Sequence, residues 1–240
     1  MIFGVLRIDY ANYVFLNAIA SYTLVVASIM IFSPSRLVTF RDHFSLWMVV
    51  FACLLSVISP GENTIIYTSV FTFLGLALSV YIIVNREGIT TPSLKSFVVG
   101  VCWSIGAVVV LALASAFLGI KFSPIFSSAV IINSFRFQLA FVSVAEEALF
   151  RGITLSLLLM NGSNENKALF VQAMLFWGMH YLDLSNPVLF FIIIPLGTLF
   201  MTLLIKQYKL LYLPVIMHTL LNVFVALLTM LITSYMFRIR

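Results

Sequence analysis

From Tyr10 to Phe32 the chain carries no charged side chain, and seven more apolar stretches follow, at 44–60, 64–84, 96–118, 137–160, 168–182, 187–205 and 211–236. A helix of about 20 apolar residues crosses the hydrocarbon layer of a bilayer. In lipid each backbone N–H and C=O must find its partner inside the protein, and a helix pairs them all within one segment. The expected fold is therefore all-α, a polytopic transmembrane helical bundle of about eight spans. The stretches 44–60 and 168–182 are short, and either is expected to end in a loop buried by its neighbours.

Composition points the same way. Hydrophobic residues make up 62% of the 240 and charged residues only 9%, against about 25% charged in soluble domains. So much apolar surface needs lipid as its solvent. Residues 1–240 read as a single membrane domain of an integral, multi-pass protein. The net charge of +5 comes from basic residues scattered singly through short loops. Contact with bilayer headgroups is expected from such a pattern, and nucleic acid is not an expected partner. Cys53 and Cys102 lie apart inside apolar stretches and read as small core residues. Ala18-Ile19-Ala20 has the look of a signal-peptide cleavage triplet, but the apolar run continues to Phe32, the length of an anchor that stays. The sequon Asn161-Gly162-Ser163 carries little weight.

Turn-forming residues separate the stretches: Ser33-Pro34-Ser35-Arg36, Pro60-Gly61-Glu62-Asn63, the segment from Asn85 to Lys95 with Gly88 and Pro92, and the polar run Asn161 to Lys167. Residues 119–136, with Lys121, Pro124 and Arg136, are expected either to lie along the membrane surface or to extend the next helix outward. Arg36, Arg41, Arg86, Lys95, Lys167, Lys206 and Lys209 would face one side of the bilayer. Arg7, Lys121, Arg136, Arg238 and Arg240 would face the other, a lean toward both termini outside the cytoplasm.

Across the eight stretches the only Asp, Glu, Lys or Arg residues are Glu146, Glu147 and Arg151. A charge at the bilayer centre costs at least about 2.5–3.5 kcal/mol. Three within six residues mark a feature with a purpose. Glu147 and Arg151 are four apart on one helix face and can pair. Glu146 is turned about 100° from Glu147, so a plain structural ion pair explains Glu147 and Arg151 and leaves Glu146 over. Two histidines also fall inside stretches. His180 lies near the end of the sixth, and His218 lies four residues before Asn222 on a shared face in the eighth. A single intramembrane His is commonly a helix–helix hydrogen bond, but two of them with a surplus Glu favour a site. His43, between Asp42 and Phe44 in a loop, has no assigned role.

Glu146-Glu147-Ala148-Leu149-Phe150-Arg151 reads EExxxR, Phe176-Trp177-Gly178-Met179-His180 reads FxxxH, and His218-Thr219-Leu220-Leu221-Asn222 reads HxxxN. In this order on separate apolar helices the three motifs resemble the signature of the CAAX-protease and bacteriocin-processing (CPBP, or Abi) family of intramembrane endopeptidases. That family includes the Ras-converting type of CAAX prenyl protease. The resemblance covers about 137–225, which would be the catalytic core, and the first four stretches show no family signature. HExxH, GxGD and GxSG are absent, which argues against the other intramembrane protease classes.

The resemblance implies an endopeptidase acting on membrane-associated proteins or peptides, CAAX-type prenylated ones among them. Glu146 would be the base and acid, His180 would orient the water, and His218 with Asn222 would form the oxyanion pair. Glu147 and Arg151 would hold the helix and set the field at Glu146. It leaves the metal question open, since Glu146, His180 and His218 also read as a zinc set of two His and a carboxylate. An Asn one turn from His218 suits an oxyanion donor better than a metal ligand, which favours a reaction without a cofactor. Two other classes stay open: a non-catalytic membrane scaffold or self-immunity protein of the same fold, and a proton-coupled transporter. The intact motif set weighs against the first. The absence of an internal repeat weighs against the second.

Overall fold

The charged stretch is built into one continuous helical rod, residues 128–160, and the rest of the chain is arranged around it. The computed structural model describes residues 10–58, 65–85, 89–120 and 127–238. Helices α1 (Tyr10–Phe32), α2 (His43–Ile58), α3 (Ile65–Val84) and α4 (Leu94–Phe117) precede the rod, here α5. Helix α6 (Glu165–Met179), a 3-10 turn (Tyr181–Ser185), α7 (Leu189–Tyr208) and α8 (Tyr212–Arg238) follow it. No strand occurs among the described residues, and one isolated bridge joins Asp42 to Thr90. The turn at Pro60-Gly61-Glu62-Asn63 lies outside the described residues, as do Arg7, Arg86, Gly88, Lys121, Pro124 and Arg240.

Five of the helices are long and apolar enough to cross a membrane: Val14–Phe32 in α1, α3, α4, α7 and Tyr212–Tyr235 in α8. The other three expected spans are of a different kind. Helix α2 has 16 residues and α6 has 15, while 137–160 is the inner part of the rod. Residues 128–136 extend the rod outward, one of the two arrangements expected for 119–136. Large apolar side chains stand on the outer faces, Phe73, Leu76 and Val80 on α3 and Trp103, Val109 and Phe117 on α4. Such a surface is stable only against lipid.

The rod changes its winding twice. Gln138–Val142 and Ala148–Thr154 are π-helical, and between them lies the short α-helical piece Ser143–Glu147 that carries both glutamates. A π turn spends an extra residue, so it turns the following side chains to a new face and loosens its own carbonyls. Side chains from α1, α2 and the loop between them take those carbonyls up. The Tyr22 hydroxyl donates to Ala140 O at 2.9 Å, and the Ser56 hydroxyl donates to the same atom at 2.9 Å. The Thr39 hydroxyl donates to Arg151 O at 3.1 Å. Arg136 donates to Ile58 O at 2.7 Å, closing the end of α2. So the N-terminal helices, which carry no motif, hold the segment that does.

A third π stretch, Leu189–Ile193, precedes Pro195. Proline has no N–H to give back along the helix and crowds the preceding turn. The carbonyl of Phe190, five residues earlier, accepts instead from the Trp177 indole at 2.8 Å.

Two apolar clusters flank the rod. One combines α1, α2, α3 and the rod's Ala140, Val144, Ala145 and Ala148. The other combines α4, α7 and α8 with Phe176 of α6. The loop between α1 and α2 folds back over the second π stretch, where Leu37, Thr39 and Phe40 are fully buried. Gly152 permits this approach, because a Cβ there would stand 2.5 Å from Phe40 Cε2 and 2.8 Å from Cζ. The Phe40 ring is fully buried, so it would have to shift within packed surroundings. Gly152→Ala is expected to destabilise the protein by about 1–3 kcal/mol, the usual range for overpacking. The check is the thermal midpoint of the detergent-solubilised variant, and an unchanged midpoint would show that the loop yields.

Candidate active site

Glu147 lies at the centre of a buried polar cluster at the seam between the two apolar clusters. Its two carboxylate oxygens accept from Arg151 Nη1 at 2.8 and 2.7 Å, and both side chains are fully buried. The four-residue spacing delivers this pair even though the segment between them begins to wind as a π-helix. The guanidinium also lies over the Phe176 ring, 4.2 Å from its centroid, a cation–π contact out of water.

The same carboxylate holds His218. Oxygen Oε1 of Glu147 stands 2.8 Å from His218 Nδ1. A carboxylate only accepts, so Nδ1 carries a proton and donates it. The other ring nitrogen, Nε2, then faces Glu146 Oε2 at 3.9 Å. Helix spacing pairs Glu147 with Arg151, but it is the crossing of α8 over the rod that makes His218 the third member.

Glu146 is 9% exposed, and its Oε2 is buried without a hydrogen-bond partner among the described residues. It lines a cavity of about 300 Å³ together with His180, His218 and Asn222. The four residues singled out from three separate motifs thus share one wall. Next to it lies a more apolar pocket of about 180 Å³ bounded by Leu111, Ile193, Met201 and Val225, and His180, His218 and Asn222 line both.

His180 is placed by the end of α6. The helix stops at Met179, short of the expected 182. The reason is the histidine itself: its Nδ1 takes the Phe176 carbonyl at 2.9 Å, and its backbone N–H turns to Trp177 O at 3.0 Å. Nδ1–H is committed to that carbonyl, and the ring packs on Phe176 with centroids 4.8 Å apart. Phe176 also meets the Phe150 and His218 rings edge-on, each at 5.7 Å. The Phe of FxxxH is therefore the apolar floor on which both histidines and Arg151 rest.

Asn222 donates through Nδ2 to Gln138 Oε1 at 2.7 Å. Gln138, Asn17 and Asp183 also line the cavity, and none was expected from the sequence. A search for charges inside apolar stretches passes over the amides Gln138 and Asn17. Asp183 falls one residue beyond the expected span. Burial pushes the Asp183 carboxyl above the usual carboxylate range, with His180 pulling the other way.

The zinc alternative requires Glu146, His180 and His218 around one ion. No three His, Cys, Asp or Glu side chains among the described residues are grouped to hold a metal. As they stand, Glu146, His180 and His218 form no such group.

Residues 128–224 match the family of Rce1-like type II CAAX prenyl endopeptidases. No curated protein and no solved structure matches the chain.

Proposed function

We propose, from the premise that residues 128–224 belong to the Rce1-like type II CAAX prenyl endopeptidase family, that this protein is an intramembrane endopeptidase. Its substrates would be membrane-associated proteins or peptides, CAAX-type prenylated ones among them, and Glu146 would activate the attacking water. The observation that carries the reading is the Glu146 carboxylate. It is buried at the wall of a cavity, its Oε2 has no hydrogen-bond partner among the described residues, and His180, His218 and Asn222 share the wall. A buried charge without a pairing role in the fold is costly to keep. Chemistry accounts for keeping it.

In this mechanism water lies between Glu146 Oε2 and the imidazole groups, a gap that at 3.9 Å to His218 Nε2 is too long for a direct hydrogen bond. Glu146 takes a proton from the water as its oxygen bonds to the scissile carbonyl carbon. The carbonyl oxygen becomes an oxyanion, stabilised by donors fixed before the reaction begins. Asn222 offers the second N–H of its amide. His218 offers Nε2–H when the ring carries both protons, with Glu147 as its counter-ion. In that form Glu146, Glu147, Arg151 and His218 sum to zero charge, which suits a site out of water. As the C–N bond breaks, Glu146 returns its proton to the leaving amine.

The test compares the membrane-associated peptides of cells producing the wild-type protein with those of cells producing Glu146→Ala. A set of peptides present only with the wild type supports the reading, and identical profiles overturn it. Asn222→Ala is expected to lower turnover about 10²–10³-fold, the cost of one oxyanion donor, with little change in substrate binding. The purified enzyme is expected to keep its activity after treatment with a strong chelator. Activity lost on chelation and restored by zinc would instead make His180 and His218 ligands.

A further inference from the structure

The cavity wall contains one polar side chain that the mechanism above does not use and that touches one that it does. Gln138 opens the first π stretch of the rod. Its Oε1 accepts from Asn222 Nδ2 at 2.7 Å and from the Ser143 hydroxyl at 3.4 Å. Ser143 is fully buried and lies five residues along the rod. On a regular α-helix residues five apart stand on different faces, whereas one π turn brings them together. The π winding therefore builds an acceptor with two donors converging on it.

A side-chain amide has two ends that fill nearly the same space, and an oxyanion discriminates sharply between them. An N–H turned toward the developing charge stabilises it, and a carbonyl turned toward it repels it. Asn222 is exposed to the cavity, and the backbone of α8 alone does not choose which end faces the reaction. We propose that Gln138 is a positioning residue for the proposed peptide hydrolysis: its Oε1 ties one N–H of Asn222 to the rod and so directs the other N–H of the same amide into the cavity. The inference rests on the endopeptidase reading and adds to it a residue outside EExxxR, FxxxH and HxxxN. The contact also links α5 to α8, as the Glu147–His218 bond does, so the two helices are tied at two points.

The test is a double-mutant cycle between Gln138→Met, which keeps the bulk and removes the acceptor, and Asn222→Ala. Turnover is read on the peptides whose abundance depends on Glu146, with purified protein in detergent micelles. Gln138→Met alone is expected to lower kcat about tenfold and to leave KM within about twofold, the scale of one lost hydrogen bond. In the Asn222→Ala background Gln138→Met is expected to change kcat by less than about twofold, because the amide it positions is gone. Equal falls in both backgrounds would overturn the proposal and leave Gln138 as a packing residue. A fall in KM-dependent binding with kcat unchanged would overturn it too.

A second measurement does not need a substrate. In protein labelled with ¹⁵N-asparagine, the Asn222 side-chain N–H signals, identified by their loss in Asn222→Ala, should be slow to exchange with solvent. In Gln138→Met they should exchange fast and shift. Unchanged signals in Gln138→Met would overturn the positioning role. If no peptide depends on Glu146 while the signals respond as expected, the endopeptidase reading fails and the side-chain tie stands.

Discussion

Glu146→Gln is expected to yield a folded protein that no longer cleaves, with turnover down at least about 10²–10⁴-fold, the range supplied by a positioned acid–base group. Gln has nearly the shape of Glu. Oε2 of Glu146 has no hydrogen-bond partner among the described residues, so replacing that oxygen by an amide nitrogen breaks no hydrogen bond. It removes the atom proposed to take the proton from water. Folded yield, read as a monodisperse peak in detergent, should stay within about twofold of the wild type. Turnover within about tenfold of the wild type would move the base elsewhere, and Asp183 is the other carboxyl on the cavity wall.

Arg151→Ala is expected to fail one stage earlier, at folding. It leaves Glu147 fully buried with its counter-charge gone. Breaking a buried pair by removing one partner costs about 3–5 kcal/mol, a large share of the about 5–15 kcal/mol that holds a typical domain together. The loss also uncovers the face of Phe176, which the guanidinium covers at 4.2 Å. The expected result is a sharp fall in folded yield, with the surviving protein impaired because Glu147 no longer holds His218 in a fixed place. Arg151→Lys keeps the charge but not the planar group over the ring, and should recover part of the yield. Normal yield and turnover in Arg151→Ala would show that the pair is dispensable. The two variants thus separate neighbouring carboxylates, Glu146 failing in chemistry and Glu147 in structure.

Much of this site was legible because its setting is so apolar. In a chain that keeps charge out of its helices, Glu146, Glu147 and Arg151 stand out on cost alone, and fixed helical geometry pairs Glu147 with Arg151 and sets His218 one turn from Asn222. Helix identity was legible for the same reason: long apolar runs in lipid have one way to pair their backbones locally. What depends on winding was not legible. The two π stretches that flank the glutamates are accompanied by contacts to their carbonyls from Tyr22, Ser56 and Thr39, residues far away in the chain. Gln138 escaped because an uncharged amide is inexpensive enough to occur in any span.

Sequence alone determined which side chains are too costly to bury without a purpose, and which of them share a face of one helix, since both follow from local geometry and the solvent. Tertiary structure alone decided that His218 turns Nδ1 to Glu147 and Nε2 toward Glu146. It likewise decided that Asn222 meets Gln138. These depend on where separate helices cross, and a crossing is set by side-chain packing over the whole bundle, which no single stretch encodes.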